Sequence, residues 1–219
     1  MLTLGIDEAG RGPVLGPMVL AGVLLSPRAA SALTRAGVTD SKRFVGPTAH
    51  AARSQLIPRI LAHATAVHVR VAGVEEVDAH ASRGELNVLE RAIAREILTR
   101  IGGSATRVLC DGARLFGPLC AEHPHLRALD RAEDAHAAVA AASLLAKVRR
   151  DELFACIVAR YRKRFGLLTG GGYVNAPTMR FLAAHLDTHG RLPPETRSSW
   201  RIHAQPAVPR DHRRWQPGQ

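Results

Sequence analysis

The chain has 219 residues, 46% hydrophobic and 22% charged, enough to bury one sizeable core and too apolar for wholesale disorder. Thirty Lys and Arg against 19 Asp and Glu leave a net charge of +11, a field that favours polyanionic partners. Three cysteines with no CxxC pair argue against a disulfide framework and against a zinc site, and the 11 histidines are scattered. The start, MLTLGI, meets Asp7 too soon and lacks a basic leader, so no signal peptide is expected. The longest apolar run, Val14–Leu25, contains Gly and Pro and falls short of the ~20 residues of a membrane span. A cytoplasmic protein without membrane contact is expected.

In chain order, LTLGIDE reads as a first strand, and MVLAGVLL (Met18–Leu25) as a second, joined by a Gly/Pro turn. Pro47–Ala64 is Ala-rich. Leu56, Ile57, Ile60 and Leu61 stripe it as an amphipathic helix, with Pro58 as a kink point. Ala66–Val74 alternates as a half-buried strand. Glu85–Ile101 is a helix with Leu86, Leu89, Ile93 and Ile97 on one face, stopped by Gly102 and Gly103. Thr106–Gly112 is a short strand entering a turn. The run from His125 opens in a strand-like way and becomes a long Ala-rich helix from about Asp134; Ala176–Leu186 is a further helix. This mixture predicts an α/β sheet covered by helices. Residues 1–190 read as one domain. Residues 191–219, rich in Arg and Pro, read as a basic arm packed on that domain or trailing from it.

The stretch GIDEAGRGPVLGP (Gly5–Pro17) poses the chemical question. A dinucleotide fingerprint needs G-x-G-x-x-G opening a helix, whereas Gly10, Gly12 and Gly16 are one residue too wide and a strand follows; a Walker loop is absent. A nucleotide-cofactor enzyme is therefore set aside. Asp7 ends an apolar strand, where a lone carboxylate is costly unless a cation meets it. Glu8 points to the opposite face unless Gly10 and Gly12 bend the chain. VLCDG delivers Asp111 in the same way. Asp134, ahead of the long helix, reads equally as an N-cap or as a further acid. Four clustered carboxylates repel one another unless cations neutralise them, and two Mg²⁺ ions ~3.5–4 Å apart form the clamp for in-line hydrolysis of a phosphodiester. Such acids within a basic protein suit a nuclease, with Ser41, Lys42 and Lys147 as phosphate contacts. A non-catalytic RNA- or hybrid-binding module would have no reason to gather acids that repel phosphate.

The combination of GIDEAGRGPVLGPMVLAGV, TDSK, CDG, AAASLLAKVRRD and GGGYVNAPTMRFL resembles ribonuclease HII, the type 2 ribonuclease H, from Gly5 to about Trp200. The resemblance implies the ribonuclease H-like fold, a mixed five-stranded sheet flanked by helices, with helices added on the C-terminal side. It implies a monomeric endonuclease acting on RNA–DNA hybrids and on ribonucleotide-containing duplex DNA during replication and repair. That enzyme cuts 5′ of a ribonucleotide to leave a 3′-hydroxyl and a 5′-phosphate. The cofactor it implies is Mg²⁺ or Mn²⁺, two ions during catalysis, held by Asp7, Glu8, Asp111 and Asp134. It makes Gly10-Arg11-Gly12 the backbone reader of the 2′-hydroxyl and Tyr173 the platform for the next, deoxy, sugar. Asp151, roughly 25 Å along the helix from Asp134, is structural. Val174-Asn175-Ala176-Pro177 replaces the Pro-Ser-Asp-Pro of many relatives, and LPPETRSSWRIH looks more like the archaeal form, with Arg197 facing phosphate.

Overall fold

A computed structural model describes residues 1–38, 44, 46, 48–103 and 106–200. Five strands, β1 (Thr3–Ala9), β2 (Met18–Leu25), β3 (Ala66–Ala72), β4 (Arg107–Asp111) and β5 (Leu126–Leu129), form one mixed sheet in the order β3-β2-β1-β4-β5. β2 lies antiparallel to β1 and β3; β4 lies parallel to β1 and β5. The parallel register pairs Ile6 with Cys110, so the next residues along, Asp7 and Asp111, leave the sheet side by side.

Helices cover both faces. α3 (Val74–Ala81), α4 (Leu86–Ile101) and the single turn α5 (Ala113–Phe116) pack on Leu4, Ile6, Leu20, Val108 and Cys110. α1 (Pro27–Arg35), α2 (Ala49–His63) and α7 (Ala137–Phe165) pack on Ala9, Val19, Ala21, Val23 and Leu25. β2 is therefore buried at every position, which is why it reads as an unbroken apolar run rather than an alternating one. α8 (Ala176–His189) and the far half of α7 build a separate cluster around Leu15, Phe154, Ile157 and Phe181.

Several helices escaped the periodicity reading because they are short. α1 starts with the side chain of Ser26 accepting from the N–H of Ala29, with Pro27 in the first turn, a start signal compressed into two residues. α3 begins where the third strand was expected to continue. α2 runs through Pro58 as one element, and Leu61, expected on its buried stripe, is exposed while Ile60 is fully buried. The long helix begins at Ala137, not Asp134. His136 caps it by accepting from the N–H of Ala138 at 3.1 Å, and a separate turn, α6 (Ala132–Ala135), precedes it.

α7 lies flush on β1 because both contact surfaces are nearly bare. Ala137, Ala138, Ala140, Ala141 and Ala142 are all buried, and a Cβ placed on Gly5 would sit 2.2 Å from the backbone carbon of Ala138. No rotamer relieves a clash with backbone, so Gly5→Ala must separate strand and helix. We expect it to lower the unfolding free energy by about 3 kcal/mol, measurable by urea titration; a loss below about 1 kcal/mol would show that α7 moves freely.

Candidate active site

Asp7 is buried and faces α7, where the Ser143 hydroxyl donates to it and the Lys147 charge acts on it. Lys147 Nζ in turn donates to Ser143 Oγ at 2.7 Å, so a cation and a hydroxyl from one helix face back a single carboxylate. The N–H of Glu8 donates to Asp7 Oδ1 at 2.8 Å, and the N–H of Ala132 to Asp111 Oδ1 at 2.7 Å. The Glu8 side chain hydrogen-bonds Asp7 and lies within the field of Asp7, Asp111 and Arg11. Its Oε2 is buried without a hydrogen-bond partner among the described residues.

Asp134, the expected fourth acid, is not brought together with the other three. Asp134 has a side chain 31% exposed and pairs with Arg131 at 2.7 Å. Glu133 is buried and acts on both Asp7 and Asp111, hydrogen-bonding Asp111. Successive helical residues are about 100° apart, so one turn presents only one of two adjacent acids to the cleft. Arg131, left-handed at φ 59°, sets which one by reversing the chain just before α6. Sequence carried both acids but not this rotation.

A cleft of about 430 Å³ opens beside Glu8 and is lined by Gly10, Arg11, Gly12, Lys147 and Tyr173, together with Arg53 and Arg150, which sequence reading had not singled out. Tyr173 is 52% exposed, and its ring lies where a Cβ on Gly12 would come within 3.2 Å, so the turn and the tyrosine touch. Gly170, Gly171 and Gly172 all have positive φ, and Gly172 O accepts from Val14 and Leu15, fastening the tyrosine loop to the segment after the turn. Arg11 reaches away to Asn87 and to the fully buried Glu90 of α4. Asp151 takes Arg53 of α2 at 2.9 Å, joining two helices at the cleft's rim. Arg197, expected to face phosphate, is fully buried: its guanidinium donates to the carbonyls of Gly10, Arg11 and Gly16. Ser41 and Lys42 lie outside the described residues.

Burial first, then the neighbouring acids Asp7 and Asp111, push Glu8 up to about 8; Arg11 opposes them. Burial likewise raises Asp111 to about 6, with Asp7 and Glu133 adding to it, and raises Asp7 against Ser143 and Lys147. Among the described residues, no three His, Cys, Asp or Glu side chains are placed to hold a metal ion as they stand. The donor chemistry nevertheless fits a hard divalent cation: carboxylates, crowded and mutually raised in pKa, with the buried Glu8 Oε2 among those left without a hydrogen bond.

A carboxyl that folding makes harder to ionise contributes nothing below its unfolded pKa and costs stability as pH climbs to its folded pKa. Metal-free protein should therefore lose stability between pH about 4.5 and about 8. Glu8→Gln should reduce that loss, and Mn²⁺ should raise the urea midpoint more at pH 8 than at pH 5. An unchanged slope in Glu8→Gln would remove Glu8 as a source.

The model of the family described as ribonuclease HII matches residues 4–203. A ribonuclease HII of Cenarchaeum symbiosum is 36% identical over 206 residues, covering 92% of this chain and 96% of that one. Among solved structures, ribonuclease H2 of Pyrococcus horikoshii superposes with a TM-score of 0.77 at 26% identity, over 92% of this chain and 94% of that one. The ribonuclease HII of Archaeoglobus fulgidus, solved in complex with PCNA, gives 0.74 at 28% identity over 92% and 95%. With its mixed sheet, helical layers and acids gathered at the ends of β1 and β4, the chain belongs to the ribonuclease HII family, endoribonucleases of the ribonuclease H fold that cleave the RNA of RNA–DNA hybrids.

Proposed function

We propose that the chain incises duplexes on the 5′ side of a ribonucleotide, a single one embedded in DNA included, and that Asp7, Glu8, Asp111 and Glu133 form its metal-holding set. The observation that carries this reading is the meeting of the Gly10-Arg11-Gly12 turn, Tyr173 and Glu8 in one cleft. Divalent ions, Mg²⁺ or Mn²⁺, would supply Lewis acidity and charge neutralisation at these carboxylates.

The chain's own groups do the rest. Arg53 and Lys147 bring positive charge to the cleft, which attracts the backbone phosphates, while the buried Arg150 donates to the carbonyls of Leu15 and Gly171 behind them. The bare backbone of the turn comes close to a sugar because neither Gly10 nor Gly12 carries a side chain there, and a 2′-hydroxyl is the group that distinguishes RNA at that position. Tyr173 offers an exposed ring in contact with Gly12, on which the next sugar stacks. Water adds to the phosphorus, the bond to the 3′-oxygen of the upstream nucleotide breaks, and that oxygen takes a proton, leaving a 3′-hydroxyl and a 5′-phosphate.

In cleavage of a duplex containing one ribonucleotide, with Mg²⁺ or Mn²⁺, Glu133→Gln should lose activity by on the order of 100-fold or more. Asp134→Asn should stay within a few-fold of the parent. The reverse pattern would return the fourth position to Asp134, and equal cutting of an all-DNA duplex would refute sugar reading.

A further inference from the structure

The residues just before the end of the described chain return to the turn they are farthest from in sequence. The N–H of Gly16 donates to Glu195 O at 2.9 Å, Leu15 bridges Thr196, and the N–H of Arg197 donates to Val14 O at 2.8 Å. The Arg197 guanidinium then reaches under the turn. Nη2 donates to Gly10 O at 2.6 Å, Nη1 to Arg11 O at 2.9 Å and Nε to Gly16 O at 2.8 Å. Trp200 Nε1 donates to Gly12 O at 3.1 Å, and its ring lies 4.8 Å from the guanidinium carbon. The segment is itself anchored. Asp78 of α3 accepts from the N–H of Ser198 at 2.6 Å, the N–H of Ser199 at 3.2 Å and the Ser199 hydroxyl at 2.5 Å. Glu195 accepts from the Tyr161 hydroxyl at 2.8 Å and pairs with Arg160.

All three carbonyls of Gly10-Arg11-Gly12 are thus held from behind by one strap. Among the described residues nothing accepts from the N–H of Arg11 or Gly12. The turn keeps its acceptors occupied and its donors available, which suits a surface meeting sugar and phosphate oxygens. A buried guanidinium serves this better than an ammonium, because its planar fork addresses several carbonyls at fixed angles. Glycine gives the turn freedom to approach a sugar but no rigidity, so rigidity has to come from elsewhere.

We infer that Arg197, supported by Trp200 and anchored through Asp78, is a positioning residue for ribonucleotide recognition, holding the Gly10-Arg11-Gly12 backbone in its sugar-reading conformation. This rests on the reading that the turn senses the 2′-hydroxyl. Its test uses the full chain in an Asp7→Asn background that binds without cutting, and compares dissociation constants for a duplex with one ribonucleotide and for the same duplex in DNA. A merely structural role would reduce the folded fraction and weaken both duplexes alike, leaving their ratio unchanged. Arg197→Lys and Arg197→Met should bring the ratio close to one with DNA affinity altered only a few-fold. Gly12→Ala should do the same, and the double variant should be no worse than either single one. If Gly12→Ala abolishes the preference while both Arg197 variants keep it, the strap inference is overturned and sugar reading by the turn stands. If Gly12→Ala also keeps it, the turn is not the reader and both fall. Should circular dichroism show the Arg197 variants unfolded, Asp78→Asn decides: a diminished ratio supports the strap, and a retained one overturns it.

Discussion

The contact on which this molecule depends is a backbone-to-backbone one, α7 against β1 at Gly5. β1 is the middle strand of the sheet and bears Asp7 and Glu8; α7 bears Ser143 and Lys147. A strand and a helix normally stand apart by the thickness of their side chains. Here a glycine and a run of alanines remove that thickness, and short polar groups on the helix can reach a carboxylate on the strand. The same closeness keeps water out, which raises Asp7 and makes its partners necessary.

Charge in this protein is arranged against its average. The chain is strongly basic, yet the acids Asp7, Glu90 and Glu133 are buried alongside only Arg150 and Arg197 among its Lys and Arg in the described residues. An excess of Lys and Arg at the surface draws a polyanion from a distance, while an acid cluster at the end of the sheet repels it unless cations intervene. Attraction over a wide face and repulsion at one point together mean that a polyanion is drawn to the surface while the acid cluster opposes it locally.

The arginines divide by burial rather than by number. Arg11 directs its side chain to Asn87 and Glu90 of α4. Arg197 turns wholly inward and serves carbonyls. Burial lowers its pKa to about 10, with Arg150 contributing, and it stays charged at neutral pH; a charged donor to several carbonyls is worth more than a neutral one. A side chain that looks from composition like a phosphate ligand is here part of the framework.

Strands β1, β2, β3 and β4, helix α4 and the long α7 were legible because each carries its periodicity or its apolar run within a single window. Short elements such as α1, α3 and α6 had too few residues for a period to register. Asp7, Glu8 and Asp111 were legible as a set, since an acid closing an apolar strand announces an expensive carboxylate wherever the strand is placed. Two decisions belonged to the tertiary structure alone. Glu133 and Asp134 are chemically alike and adjacent, and only the left-handed Arg131 and the angle of one helical turn choose which faces the other acids. Arg197 and the Gly10-Arg11-Gly12 turn are 185 or more residues apart, 197 against 10 to 12. No local pattern encodes their contact, because it exists only once the chain's far end has folded back across the sheet.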